Sequence, residues 1–219
     1  MKNGNLKSTK RICEKLHEKE HGFKAASNID FLLFIGGLLI TLLAVRAFIF
    51  EPVRVDGESM LNTLYDTERC IVEKASYWFT SPKAGDIVIV HFPERGNESF
   101  VKRVVATGGQ TIEFMTEQVT DPATGAISNK NYLLVDGVRL DESKYESTML
   151  LDQPAYSQWN VSFGGAGKKY TVPEGCVFVM GDHRTNSHDS RAVGPIELSS
   201  VVGRVHGVLF PLSHFRTVN

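Results

Sequence analysis

Tyr132-Leu133-Leu134-Val135-Asp136-Gly137-Val138-Arg139-Leu140 sets two apolar runs on either side of an Asp-Gly pair. A two-residue hairpin turn needs left-handed backbone at both central positions, and Asp-Gly supplies it at low cost. The stretch therefore predicts two antiparallel strands. Outward from it the same texture repeats. β-Branched and aromatic runs at Val53–Val55, Cys70–Glu73, Asp86–Phe92, Phe100–Ala106, Thr111–Phe114, Lys169–Val172, Val177–Met180 and Val201–Phe210 alternate with turn residues at Pro82–Gly85, Gly108-Gly109 and Pro173–Gly175. After residue 55 the sequence offers no amphipathic helix of three or more turns and no internal repeat. The chain from 51 to 219 reads as a mainly β domain. Two stretches, 115–131 and 143–168, read as surface excursions inserted on it, the second ending in Gly164-Gly165-Ala166-Gly167.

Upstream the composition changes. Phe31 to Val45 carries no charge, and after Arg46 the run Ala47-Phe48-Ile49-Phe50 extends the apolar stretch to residues 31–50. At about 1.5 Å per residue such a helix is about 30 Å long, enough to cross the hydrocarbon core of a bilayer. Arg46 lies close enough to the end to reach the headgroups. Residues 1–30 form a solvated tail with seven Lys and Arg against four Asp and Glu, a net charge of +3, whereas residues 51–219 carry −5. That asymmetry predicts a cytoplasmic N-terminus and an extracytoplasmic β domain. Val45-Arg46-Ala47 also fits the small-residue pattern of a cleavable leader, but thirty residues before the apolar core is long for one.

The −1 net charge has no dense basic face of the kind a nucleic-acid binder presents, so no nucleic acid is expected. Cys13, Cys70 and Cys176 form no CxxC pair or metal-ligand spacing, and neither metal nor cofactor is expected. Cys13 lies on the far side of the apolar segment. Only a Cys70–Cys176 disulfide is open within the β domain, and both residues sit in strand-like runs where a buried free thiol is the commoner outcome.

Seven histidines are present, but no HExxH, Cys/His cluster or GxSxG elbow accompanies them. Phe100-Val101-Lys102-Arg103-Val104-Val105-Ala106 is more informative. On an extended strand Lys102 shares a face with Val104 and Ala106, while Arg103 points the other way. Burial on such a face depresses a lysine pKa. At the ordinary value of about 10.4 only about 0.04% of the amine is neutral at pH 7, and a drop of about 2 to 3 units makes the neutral form substantial. A lysine snorkelling from a sheet edge fits the same stretch. A second polar stretch, Gly181-Asp182-His183-Arg184-Thr185-Asn186-Ser187-His188-Asp189-Ser190-Arg191-Ala192-Val193-Gly194, leaves an apolar strand, where sites are often built. An ordinary Asx-rich surface turn is the other reading of it.

Together with Gly57-Glu58-Ser59-Met60-Leu61-Asn62-Thr63-Leu64, just past the apolar segment, these stretches resemble the type I signal peptidases. The shared order is an anchor, the Ser59 stretch, Gly85 to Val90, Lys102 to Val105, and Gly181 to Gly194. The likeness extends over about residues 30–212. It implies a membrane-anchored endopeptidase with an antiparallel, barrel-like β domain, in the single-span Gram-positive form. Such an enzyme cuts signal peptides from exported preproteins after small residues, in the pattern Ala-X-Ala.

The resemblance also assigns roles. Ser59 matches the nucleophile, Lys102 the general base, and Ser187 the hydroxyl that orients the amine, with Asp189 and Arg191 as a structural pair. Gly57 replaces a serine found in some members, so oxyanion stabilisation falls to backbone donors such as the Ser59 N–H. Substrate is expected to lie extended along Asp56-Gly57, with small side chains against Val53, Met60 and Val104. Trp78-Phe79 is expected at the membrane interface or in the core. Two positions depart from the family pattern: Asn62 replaces a proline, which is expected to loosen the turn, and His183 replaces an asparagine. They leave open a specialised member that serves pilin or other surface-protein precursors and acts mainly as a binding chaperone. A self-cleaving repressor of the SOS type shares the Ser/Lys pair, but the apolar segment and the lack of a DNA-binding head argue against it.

Overall fold

The computed structural model describes residues 28–96, 98–143 and 167–218, in two compact units divided after Phe48. The first unit contains helix α1, Asn28–Phe48, long and apolar enough to cross a membrane. Its length is about 32 Å at the α-helical rise. The Thr41 hydroxyl donates to the Gly37 carbonyl one turn back, so even this polar side chain is satisfied within the helix. The sequence places the end of the apolar segment at residue 50, but the helix stops at Phe48. Phe50 already belongs to a strand, whose start is fixed by the Lys74 N–H donating to the Ile49 carbonyl.

The second unit is mainly β, and every strand pair in it is antiparallel. In chain order the strands are β1 Phe50–Arg54, β2 Arg69–Glu73, β3 Ile87–His91, β4 Ser99–Thr107, β5 Thr111–Thr120, β6 Ile127–Val135, β7 Val138–Arg139, β8 Lys169–Thr171, β9 Cys176–Met180, β10 Ile196–Glu197, β11 Val201–Phe210 and β12 Arg216–Thr217. The larger sheet runs β1-β2-β11-β3-β4-β9-β10, with β12 on the β11 side, and the smaller runs β7-β6-β5-β8. Bulges break the register of β11 against β2 and β3 and of β4 against β9. Each bulge bends its strand and tightens the local twist.

The Asp-Gly expectation holds: Val135 pairs with Val138, and Asp136 and Gly137 both have positive φ. The 115–131 excursion is built of paired strand rather than loop. Residues 112–120 pair one for one with 127–135, and only 121–126 form the connection. Polar residues dominate there because this outer part of the hairpin has water on both faces, so composition alone did not reveal the ladder. The second excursion, 143–168, lies outside the described residues except at its two ends.

The core falls into three clusters. One joins Met60 and Leu64 to Cys70, Val72, Ile87, Ile89, Val205 and Val208. A second gathers Val88, Val90, Phe92, Val104, Val177 and Val179. The third unites Ala106 with Ile112, Phe114, Leu133, Phe178 and Met180 beneath the smaller sheet. Ala106 therefore does not share a face with Lys102 and Val104. The bulge between Val104 and Ala106 resets the pleat and turns Ala106 toward the alternate residues of β9. Cys70 and Cys176 are both free thiols, and burial pushes Cys70 up to about 11.

Candidate active site

The turn carrying Ser59 leaves β1 and returns to β2, and its mouth is tied shut. Val55 N–H donates to Glu68 O at 2.8 Å, and Thr67 N–H donates to Val55 O at 3.0 Å. Within the loop, Gly57 N–H donates to Asp66 Oδ1 at 3.0 Å, and the N–H groups of Thr63 and Leu64 both donate to the Met60 carbonyl. Met60 and Leu64 are buried in the core and anchor this turn from below. Asn62 adopts φ +65°, a conformation closed to proline, whose ring fixes φ near −65°. At this φ the departure from the family pattern suits the turn, which proline could not enter. Asparagine is one of the few side chains that accept this geometry.

Lys102 reaches the turn from the middle of β4. Its Nζ donates to Ser59 Oγ over 2.7 Å, and its side chain is only 2% exposed. Burial drives its pKa down to about 8, with Asp189 and Asp182 pulling it back up and Arg191 pushing it further down. At that value about a tenth of the amine is neutral at pH 7. A neutral amine at hydrogen-bond distance can take the proton of a serine hydroxyl, which a permanently charged one cannot.

The polar stretch after β9 wraps around this pair. Arg103 turns away from Lys102 and forks onto Asp182, with two contacts of 2.8 Å, while its third nitrogen donates to Gly85 O. Asp189 and Arg191 are fully buried and face each other in the same bidentate fashion, with Gly181 N–H completing the carboxylate at 3.0 Å. Burial works to raise the Asp189 pKa, but Arg191 and these hydrogen bonds prevail and hold it below the usual carboxylate range. Asp189 also caps the short helix α2, Ser190–Val193, and Ser190 Oγ accepts from Val179 N–H. Arg184 pairs with Glu142 in the buried interior. These partners make the loop a braced wall rather than a surface turn.

Two contacts bind that wall directly to the Ser59 turn: His183 N–H donates to Ser59 O at 3.0 Å, and His183 Nδ1 lies 3.1 Å from Glu58 O. Gly181 allows the approach, because a Cβ there would fall 2.3 Å from Ser187 Oγ and 2.4 Å from Ser59 O. Ser187 is buried beside Gly181, where its hydroxyl helps hold the Asp189 carboxyl below its usual range, and the expected bond to Lys102 is not formed. The sequence marks both Gly181 and His183, but not what they do here, since both contacts are with a neighbour more than a hundred residues away.

A groove of about 410 Å³ opens over Ser59 and Lys102. Val53, Asp56, Gly57 and Met60 line it, together with Ile89, Phe100 and Val101, while Arg54 and Glu98 stand at its rim. Val104 does not line it. From Arg103 onward β4 pairs with β9, and Val104 is buried in a cluster with Val88 and Val179. Trp78 and Phe79 project from the domain, Phe79 being 85% exposed, so the core alternative is corrected.

The family model "Signal peptidase, peptidase S26" matches residues 28–210. A probable signal peptidase I-1 from Synechocystis sp. is 34% identical over 81% of this chain and 80% of its own length. Signal peptidase I P from Bacillus subtilis subsp. natto is 34% identical over 88% of this chain and 95% of its own length. The solved structure of a signal peptidase I from Enterococcus faecalis aligns at 28% identity over 57% of this chain and 97% of that one, with a TM-score of 0.40. From the family model and the two relatives, the chain belongs to the signal peptidase family, peptidase S26.

Proposed function

We propose that this chain is a type I signal peptidase that cuts exported preproteins after small residues with a Ser59/Lys102 dyad. The observation that carries the reading is the 2.7 Å contact between a buried lysine of depressed pKa and a serine hydroxyl on the floor of an open groove. Neutral Lys102 takes the Ser59 proton as Oγ attacks the substrate carbonyl, and the Ser59 N–H faces the oxyanion that forms. The protonated amine then returns its proton to the leaving amine. Water, deprotonated by the same lysine, releases the acyl group. Among the described residues β1 stands at the sheet edge and pairs only with β2, so an extended peptide can add there with its −1 and −3 side chains against Val53, Met60 and Val101.

Helix α1 anchors the chain, with the positively charged residues 1–30 cytoplasmic and the β domain outside. Trp78 and Phe79 then have an interfacial surface to meet.

The test is cleavage of a preprotein with an Ala-X-Ala site, in detergent or lipid, by wild type, Ser59→Ala and Lys102→Ala. Both variants are expected to lose at least about a thousandfold in kcat. Undiminished cleavage by either one rules out the dyad. Binding of a pilin precursor without cleavage by wild type would favour the chaperone reading.

A further inference from the structure

His183 is not needed for the proton transfers just described, yet it touches both carbonyls that flank the Ser59 Cα. Its backbone N–H meets Ser59 O at 3.0 Å, a contact any residue at 183 except proline can make. The ring contact is different, because it belongs to the side chain: Nδ1 lies 3.1 Å from Glu58 O. A carbonyl oxygen only accepts, so Nδ1 carries the proton and the imidazole is the donor.

Glu58 C=O and Ser59 N–H are the two ends of one planar peptide unit. A donor held on the oxygen draws electron density along the amide and makes the N–H a stronger donor. Planarity does the rest. Once the oxygen is pinned, the N–H direction is set by rotation about bonds the turn already restrains. Glu58 O also accepts from Leu61 N–H at 3.1 Å, so the ring supplies the second of its two acceptor sites. The ring thus bears on the Ser59 N–H without touching it, from the wall that also holds Asp182 and Asp189.

We infer that His183 is a positioning residue for oxyanion stabilisation, its imidazole aiming and polarising the Ser59 N–H through the Glu58–Ser59 peptide. This rests on the reading that the Ser59 N–H faces the developing oxyanion. Removing a whole oxyanion donor costs about a hundredfold or more in kcat, so weakening one through its peptide is expected to cost about tenfold. Because the contact concerns charge that appears only in the transition state, the loss falls on kcat and not on KM.

The experiment compares wild type with His183→Phe, which keeps a flat ring but has no donor, and His183→Asn, whose amide can donate. Full-length protein in detergent micelles is used throughout, with Ser59→Ala as the reference for the dyad. His183→Phe is expected to lower kcat about tenfold with KM within twofold and the thermal midpoint unchanged. His183→Asn is expected to restore most of the loss.

A second measurement does not depend on turnover. Labelling with carbonyl-¹³C glutamate and ¹⁵N serine selects the four Glu-Ser peptides, 58–59, 98–99, 142–143 and 146–147. Ser59→Ala removes the 58–59 signal and so assigns it. His183→Phe should shift that signal and leave 98–99 unmoved. A 58–59 signal indifferent to His183→Phe overturns the inference, whether or not the enzyme turns over. So does a kcat within twofold of wild type, or an equal fall for both substitutions. Cleavage by Ser59→Ala would instead refute the dyad itself, a separate outcome.

Discussion

Lys102 and Arg103 are neighbours of equal charge that β4 buries on opposite faces with opposite treatment. Arg103 receives a bidentate carboxylate from Asp182, whereas Lys102 receives the Ser59 hydroxyl and no carboxylate contact among the described residues. One cation is kept charged and the other is pressed toward neutrality. The same strand holds a structural charge and a titratable one a single residue apart.

The first expectation concerns activity against pH. Proton acceptance needs the neutral amine, whose fraction grows as pH rises through about 8. The rate should therefore climb about tenfold per pH unit on the acid side and level off above about pH 8. Single-turnover cleavage from pH 6 to 9 measures this. A flat profile would refute a lysine base.

Stability should respond to the same lysine with the sign that burial dictates. The unfolded chain binds the Lys102 proton more tightly than the folded one, so this group makes stability rise with pH between about 8 and 10.4, and its cost is fully present below 8. That cost is about 3 kcal/mol. Lys102→Met, which keeps the aliphatic bulk, should raise the unfolding midpoint at pH 7, and the advantage should fade near pH 10. A Lys102→Met protein less stable than wild type at pH 7 would contradict this account.

The turn at Asn62 sets a third expectation. Asn62→Gly should leave stability within about 0.5 kcal/mol, because glycine enters the left-handed region freely. Asn62→Ala should cost about 1 kcal/mol. Restoring the family proline, Asn62→Pro, should be the most damaging of the three, since its ring forbids φ +65°. Chemical denaturation of the three variants ranks them, and a well-folded Asn62→Pro would show that the turn has another conformation.

The C-terminal strand supports the same turn from the other side. Arg216 forks onto buried Glu68 at 2.7 and 2.8 Å and donates to the Thr63 carbonyl at 2.7 Å. Burial works to raise the Glu68 pKa, but Arg216, the Tyr65 N–H and His214 prevail and lower it. This support is thus present above the ordinary carboxylate pKa and is lost as pH falls below it. Arg216→Gln should destabilise by about 2 kcal/mol at pH 7 and by less in acid. A pH-independent difference would remove Glu68 from the explanation.

What the sequence made legible was whatever depends on near neighbours. The Asp136-Gly137 hairpin needs only its own two residues, and the apolar helix needs only its own composition, so both could be read directly. The contact between Ser59 and Lys102 spans forty-three positions and was reached through the order of motifs, not through any local rule. What escaped was set by distant partners. The bulge that separates Ala106 from Lys102 exists because β9 pairs with β4, and the exclusion of Val104 from the groove follows from the same pairing. The Ser187 hydroxyl was assigned to the lysine by likeness, but Gly181 and the packing around it decide where it sits.

The approach at Gly181 divides the site into a part that can change and a part that cannot. Beneath Ser59 there is no room for one further methyl group, since Ser59 O and Ser187 Oγ already occupy the space. Above it, Arg54, Asp56 and Glu98 stand exposed around the groove mouth. A lineage that altered its substrates would have to work from that mouth, substituting one rim charge at a time over a fixed foundation. Differences in substrate preference among close relatives should therefore be sought at these three positions, with the floor held constant.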